Sequence, residues 1–535
     1  MPFKYACWAL ALANLTFYDI FDLLNDPSDL VFFELRYLPT RVDYVALLLN
    51  VLLLALLLWS IGLWGRNQNR WVKKFLTVGF IAGLGLAGLN PLLKADWAAK
   101  HIFPVLTPLE HLLLGHGWLG YGLALAMGAA VVTPLIIFDR RFRSWGQTLC
   151  WLLLPFVAVT FFQMFTRMSQ VTQAPALSTP ALMPAKQPAH RVFFLLFDHF
   201  DYEHTFTHRH PTVKLPQLDR LHQESFFATH AHSPHVSTPQ TIPALMLGQR
   251  IQAIEDDFSN MPYLSANDMQ VYIEGQNHPT SLQHEPNLFG KVRALGYHTA
   301  VTGWAGIPYC RTYSADIDQC DWESDFPYYE PARRSVFNLM AAHAGNVLLT
   351  NVFLFPFDWH AHEHRKQHTR RYLALREASF RNMLNPDIDF FYGHFPIPHS
   401  PYIYNRFRNE LALDADPAAG IWDNTVLTDR FIGELRQTLE EAGIWDKAFI
   451  ILTGDHGRIF NGVKSNHVPF IVKFPGTAVP LGFNDTFDTV LGHDLVLALL
   501  KDEIHTPQDL AAWIQQKQAH LPTPTPKIFP YPYPY

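Results

Sequence analysis

The chain has 535 residues, of which 49% are hydrophobic, 16% charged and 14% aromatic, with a formal net charge of -6. The apolar excess lies in the first third, where runs of about 20 apolar residues recur, the length that crosses the hydrocarbon of a bilayer; a purely cytosolic or disordered protein is not expected. The acidic balance argues against non-specific nucleic-acid binding, which needs a dominant basic surface.

Four runs are expected to span a membrane: Tyr44 to Trp64, Phe75 to Leu93, Gly117 to Phe138 and Leu149 to Phe165. A fifth, Tyr5 to Leu23, carries Asp19 and Asp22, which are tolerable only near an aqueous end. No small-x-small site follows it, so an uncleaved first helix is expected, with a cleaved signal peptide as the alternative. Lys and Arg accumulate on the cytoplasmic side of short loops. The loop holding Arg66, Arg70, Lys73 and Lys74, and the stretch Asp139-Arg140-Arg141-Phe142-Arg143, are therefore expected inside. Everything after Phe165 then lies outside the cytoplasm.

The expected organisation is a transmembrane domain over 1–165, a Pro/Ala/Ser-rich linker over 166–190, a catalytic domain over 191–505 and a Pro/Tyr-rich tail over 506–535. Within the third segment, Val192–Phe197, Val271–Glu274, Val347–Phe355, Phe390–Tyr392, Phe449–Leu452 and Pro469–Phe474 read as strands. Helical spacing separates them, as in Asn424–Ala442, where Val426, Leu427, Phe431, Ile432, Leu435 and Leu439 repeat at the helical period. Such alternation implies an α/β domain around a largely parallel sheet. Cys310 and Cys320 fall in the outer segment, whose compartment permits disulfides. A bridge between them is expected, with two buried thiols as the alternative.

Functional groups of α/β proteins gather at the carboxyl ends of strands. Three apolar runs end in polar clusters: Phe193 to Phe197 in Asp198, Phe390 to Tyr392 in Gly393-His394 with His399 beyond, and Ile450 to Leu452 in Asp455-His456, with His467 following. Carboxylate and imidazole together are the ligand set of zinc and manganese. Any one of 27 histidines has a bland explanation, and the crowd from His199 to His235 carries no assignment. The candidate nucleophile is Thr238 in Ser237-Thr238-Pro239-Gln240-Thr241-Ile242-Pro243, read as a helix start with Thr238 at the N-cap and Pro239 first in the helix. There the hydroxyl faces a helix N-terminus suited to phosphate, and a bound metal would favour its alkoxide.

Asp198 after its strand, Thr238-x-x-Thr241-x-Pro243 with Gly248, His399-Ser400-Pro401-Tyr402, Asp455-His456-Gly457 and His467-Val468-Pro469 together resemble the sulfatase and alkaline-phosphatase superfamily. With the apolar segments in front, the chain looks most like its membrane-anchored branch, the phosphoethanolamine transferases and lipoteichoic-acid-synthase-type phosphoglycerol transferases. The resemblance implies a five-helix anchor and a sulfatase-like domain with a largely parallel sheet. It implies a divalent metal, zinc or manganese, held by Asp198, Thr238, Asp455 and His456, with Thr238 also the nucleophile. His399, His467 and His394 would bind substrate phosphate or a second metal. Sulfatases carry Cys or Ser, converted to formylglycine, with Pro two and Arg four residues later; here those positions are Thr238, Gln240 and Ile242, so sulfate-ester hydrolysis is not expected. The lipid transferases usually show Glu where this chain has Asp198 and Arg458.

The expected function is a multi-pass cytoplasmic-membrane enzyme with its catalytic domain outside the cytoplasm. It would move a phospholipid head-group phosphate through a phosphothreonine to an envelope glycan or lipid, without a nucleic-acid partner. A membrane-tethered metal-dependent phosphodiesterase is the alternative, and an inactive binding or regulatory protein a weaker third.

Overall fold

A computed structural model describes residues 2–25, 40–94, 133, 137, 139–170, 188–252, 270–304, 308–323, 335–350, 357–415, 419–460, 463–476, 478–524 and 529–530. The chain divides into two units, one from Met1–Pro27, Leu38–Ala174 and Tyr328–His360, the other from Ser28–Tyr37, Pro175–Pro327 and Ala361–Tyr535.

The first unit is helical. Among its described residues, two helices, Arg41–Gly65 and Arg141–Ser169, are long and apolar enough to cross a membrane. These two hold the expected spans Tyr44 to Trp64 and Leu149 to Phe165; the other three of the expected five do not meet that test among the described residues. The run Tyr5–Leu23 divides at Phe17 into helices Pro2–Thr16 and Tyr18–Asn25, each too short to span. Phe75–Leu93 forms most of helix Arg70–Lys94, and Gly117–Phe138 falls almost wholly outside the described residues. Polar side chains cross-link this unit: Asn14 Nδ2 donates to Thr160 Oγ1 at 3.1 Å and Tyr44 to the Leu24 carbonyl at 2.7 Å. The last helix runs on to Gln170, past the expected boundary at 165; most of the expected linker, 171–187, lies outside the described residues.

The second unit is built on a nine-stranded sheet. Its strands are β1 (Arg191–Phe197), β2 (Phe226–His232), β3 (Thr299–Trp304), β4 (Gln319–Glu323), β5 (Phe390–Phe395), β6 (Ala448–Gly454), β7 (His467–Lys473), β8 (Leu481–Phe483) and β9 (Phe487–Asp488). The spatial order is β8-β2-β7-β6-β1-β5-β3-β4, with β9 also on β2. Among the described strands of this sheet, β7 alone runs against its neighbours.

Both faces are covered, which is why the central strands read as unbroken apolar runs rather than alternating ones. The helices are α1 (Pro216–Glu224), α2 (Thr238–Leu247), α3 (Leu288–Ala294), α4 (Phe357–Leu384), α5 (Gly420–Glu441), α6 (Gly492–Leu500) and α7 (Pro507–Gln518). Val192, Phe194 and Leu196 of β1 face a core shared with α2, α3, α6 and α7. Phe193, Leu195 and Phe197 face the other, shared with α1, α4 and α5. Phe431 of α5 docks on Phe197 and Phe395, the last residues of β1 and β5, with ring centres 5.7 and 4.5 Å away. Truncating a buried ring of this kind costs about 3–5 kcal/mol. That packing fixes the two strand ends that carry the candidate site.

Several expectations need correction. The described part of the expected strand Val347–Phe355 is the end of helix Val336–Thr350, because a short apolar run fits either period until its flanks are counted, and the rest lies outside the described residues. The strand near Val271 is real but belongs to a separate two-stranded sheet of Gln270–Tyr272 with Pro279–Ser281. The tail expected over 506–535 begins as helix α7. Thr506 Oγ1 accepts from the Asp509 amide at 3.1 Å and Asp509 accepts from the Thr506 amide at 2.9 Å, a reciprocal cap. The buried Leu510 and Ile514 of α7 join the core. The bridge between Cys310 and Cys320 is present.

Asp429 of α5 gives this unit a pH signature. Its Oδ1 accepts from the amides of Gln217 and Leu218, at 3.0 and 2.8 Å, at the start of α1. Burial nonetheless pushes its carboxyl up to about 7. Because the folded value lies above the unfolded one, the contribution to stability is complete below about pH 4 and is lost as pH rises through 7. Asp429→Asn keeps the acceptor oxygen and removes the ionisation. Thermal unfolding should therefore show the variant more stable than wild type at pH 8, with the gap narrowing as the pH falls and closing below about pH 4; the reverse pattern would contradict the assignment.

Candidate active site

The strand register builds the site. Phe197 of β1 pairs with Gly454 of β6 on one side and Phe395 of β5 on the other. The next backbone bonds extend both ladders, Asp198 N to the Phe395 carbonyl at 3.1 Å and Asp455 N to the Phe197 carbonyl at 3.3 Å. Asp198 and Asp455 thus emerge side by side, next to His394 near the end of β5. Asp198, His394 and Asp455 are all buried, and each offers a ligand atom within 4.8 Å of the others. A second group, Asp198, His199 and His456, meets the same limit.

Asp455 is held from both sides. Its Oδ1 accepts from the amides of His456 (2.7 Å) and His199 (3.2 Å), while its Oδ2 accepts from the Thr238 hydroxyl at 2.6 Å. His456 Nδ1 bonds the Gly457 carbonyl at 2.8 Å. Its Nε2 is thereby turned towards Thr238 Oγ1 (3.3 Å), Asp455 Oδ2 (3.4 Å) and Asp198 Oδ1 (3.7 Å). Gly457 is required by a close approach: a Cβ there would come within 2.6 Å of Asp201 Oδ2. That carboxylate accepts from the His204 and Arg458 amides, which hold the turn after Asp455-His456.

Thr238 differs in detail from the expectation. The N-cap of α2 is Ser237, whose carbonyl accepts from the amides of Gln240 and Thr241, and Thr238 is the first helical residue. Pro239 has no amide hydrogen and those of Gln240 and Thr241 are used, so these groups do not form the open phosphate cradle expected. The Thr238 hydroxyl is instead committed to the carboxylate and imidazole of the cluster.

The three further histidines separate. His394 joins the cluster, and burial pushes its imidazole down to about 4 against the pull of Asp455 and the Trp304 carbonyl, so it is neutral near pH 7. His399 lies at the edge: its amide donates to the Asp198 carbonyl at 3.1 Å, its Nδ1 to the Ser400 carbonyl, and its ring sits 4.1 Å from that of His199. His467 is not brought into either ligand group. Its Nδ1 bonds Glu203 at 3.1 Å and its Nε2 the Thr229 carbonyl at 2.8 Å, and its ring stacks on Tyr202. Sequence reasoning missed His199, which takes a left-handed backbone conformation (φ 63°) beside Asp198. It also missed Trp304, whose ring centre is 5.6 Å from that of His399. Adjacency to a strand-end carboxylate was the available signal for His199; Trp304 ends a strand that the pattern did not single out.

A sulfatase family model matches residues 190–494, a span holding every one of these groups. The chain belongs to the sulfatase family. Arylsulfatase K of Danio rerio is 27% identical over 116 residues, 16% of this chain and 22% of that protein. The chain therefore spans about a fifth of the length of this curated relative. Among solved structures, the PsFucS1 sulfatase of Pseudoalteromonas sp. is similar at 16% identity, covering 60% of this chain and 69% of that one, with a TM-score of 0.41. The phosphonate monoester hydrolase of Agrobacterium radiobacter is similar at 14% identity, covering 58% and 74%, with a TM-score of 0.37.

Superfamily members use a divalent metal, and the residues here fit one. Two buried carboxylates at adjacent strand ends lose hydration and repel each other, costs that a shared dication offsets. The neutral His394 and the orientation of His456 Nε2 suit coordination. Asp455→Asn and His456→Ala should each bind zinc or manganese at least about 10-fold more weakly than wild type while far-ultraviolet circular dichroism stays unchanged. Elemental analysis of dialysed protein reads this directly, and full metal content in both variants would refute the ligand assignment.

Proposed function

We propose that the protein is a membrane-anchored, metal-dependent phosphotransferase in which Thr238 is the nucleophile. The observation that carries this reading is the 2.6 Å bond from Thr238 Oγ1 to Asp455 inside the ligand cluster. A helix-capping threonine would spend its hydroxyl on its own backbone, whereas Ser237 occupies the cap here. A threonine also lacks the formylglycine chemistry that the resemblance ties to sulfate esters.

Asp198, Asp455 and His456, with Thr238 and His394, would hold the divalent ion, zinc or manganese, which when bound lowers the proton affinity of the hydroxyl and neutralises charge on a phosphate. Asp455 orients Thr238 and accepts its hydrogen bond. Thr238 Oγ attacks phosphorus and the bond to the leaving alcohol breaks; the threonine proton passes to Asp455, which accepts its hydrogen bond, and the leaving alkoxide takes up a proton from water. An acceptor hydroxyl then attacks the phosphothreonine and restores Thr238. His399, at the edge of the cluster, is placed to meet phosphate oxygens. If water takes the acceptor's place, the same intermediate gives a phosphodiesterase.

The two apolar helices of the first unit favour a donor that resides in the bilayer, a phospholipid whose head-group phosphate is phosphoethanolamine or phosphoglycerol. Its diacylglycerol would be released and an envelope glycan or lipid would accept the phosphate. The basic stretches at Arg66–Lys74 and 139–143 favour a multi-pass protein of the cytoplasmic membrane with these loops inside and the 191–505 domain outside.

Purified protein and radiolabelled phosphatidylethanolamine or phosphatidylglycerol test the reading. Wild type should release diacylglycerol, Thr238→Ala should lose more than about 100-fold in rate with a stability change under about 1 kcal/mol, and Thr238→Ser should keep measurable turnover. A fully active Thr238→Ala enzyme would overturn the proposal; free head-group phosphate formed in the presence of envelope acceptors would favour the phosphodiesterase.

A further inference from the structure

His394 is supported by a structure that the proposed chemistry leaves unused. Its ring is wholly buried, with Nδ1 3.2 Å from the hydroxyl of the equally buried Tyr309. Its Nε2 has no hydrogen-bond partner among the described residues. The Tyr309 ring meets His394 edge-on, with centres 6.2 Å apart. It rests on Gly303 of β3, where a Cβ would come within 2.7 Å of the ring, so the absence of a side chain there sets where the phenol lies. Tyr309 opens the one-turn helix Tyr309–Thr312, and the next residue, Cys310, is bonded to Cys320 in β4. Cys320 in turn pairs with Val301 of β3. The turn carrying Tyr309 is thus tied to the sheet by its own chain and by a covalent cross-link.

A histidine that ligates a metal must offer a lone pair on one nitrogen and keep the proton on the other, and the partner of the second nitrogen selects that tautomer and fixes the ring. A phenol oxygen can accept from an imidazole N–H. Burial holds Tyr309 well above the usual tyrosine range, so the phenol stays neutral and does not bring a second negative charge beside Asp455.

We propose that Tyr309 is a positioning residue: its oxygen accepts the Nδ1 proton of His394, which presents Nε2 to a divalent ion shared with Asp198 and Asp455, and the Cys310–Cys320 disulfide holds Tyr309 in register to do so. This rests on the metal reading of the site. It makes metal affinity sensitive to a bond remote from the ligands. An added reductant supplies two electrons and two protons, converts the disulfide to two thiols, and frees the Tyr309 turn from β4.

The test is competition between the full-length protein and a chromophoric chelator for zinc. Tyr309→Phe keeps the ring over Gly303 and removes the oxygen; it should weaken zinc binding about 10- to 100-fold with circular dichroism unchanged. Reduction of the wild type, or Cys310→Ser with Cys320→Ser, should weaken binding in the same direction. The two losses should not add when combined, because both act through one hydrogen bond. Wild-type affinity in Tyr309→Phe alongside weakened binding in His394→Ala would overturn the positioning role. Unchanged affinity in His394→Ala as well, with Asp455→Asn weakened, would remove His394 from the metal site. Unchanged affinity on reduction would overturn the part given to the disulfide, and would decide the matter should Tyr309→Phe fail to fold.

Discussion

Asp198 and Asp455 sit at the ends of adjacent parallel strands with almost no water around them, and like charges so placed resist burial. Much of the surrounding structure answers that one difficulty. The amides of His199 and His456 and the Thr238 hydroxyl all point their hydrogens at Asp455. His394 and His456 bring ring nitrogens to the same place, and the donor set as a whole suits a divalent ion. The nucleophile assignment follows from this arrangement: Thr238 is drawn in because its hydroxyl donates to a charge that must be met.

The scaffold explains why the groups can be held so closely. The register Leu196 to His394 and Phe197 to Gly454 places β5, β1 and β6 so that their ends advance together. Phe431, set edge-on against Phe197 and tilted against Phe395, takes up the volume behind them. Gly457 lets the chain turn back over Asp201, and the Ser237 cap leaves Thr238 its hydroxyl. Each is a packing or backbone requirement satisfied just outside the reacting groups, which is how a site gains rigidity without spending its own side chains.

The sulfatase-like core was legible because a sheet covered on both faces writes itself as unbroken apolar runs, and because Asp198, His394 and Asp455-His456 follow such runs directly. Less legible were elements whose signals are local and small. β2 alternates with Thr229 and His230 and resembles a loop, and α7 hides behind a tail rich in proline although Thr506-x-x-Asp509 marks its start. Helix Val336–Thr350 was lost because its apolar residues group at both ends, and the second group, Val347 to Leu349, continues into an apolar run that reads as a strand. The fate of His467 could not be read at all: its partners, Glu203 and the Thr229 carbonyl, are set by the pairing of β7 with β2, which is a tertiary fact. In the first unit, apolar composition marks runs such as Tyr5–Leu23 without showing where the helices end, here as Pro2–Thr16 and Tyr18–Asn25.

The central claim is that Thr238 forms a covalent bond to phosphorus. Wild-type protein mixed with phospholipid in the absence of acceptor, quenched in acid and digested, should yield the peptide containing Thr238 with the added mass of phosphoethanolamine or phosphoglycerol, and the mass would name the donor. An unmodified Thr238 peptide from enzyme that has turned over, or the adduct on another residue, would contradict the account and leave Thr238 as a hydrogen-bond donor to Asp455 and nothing more.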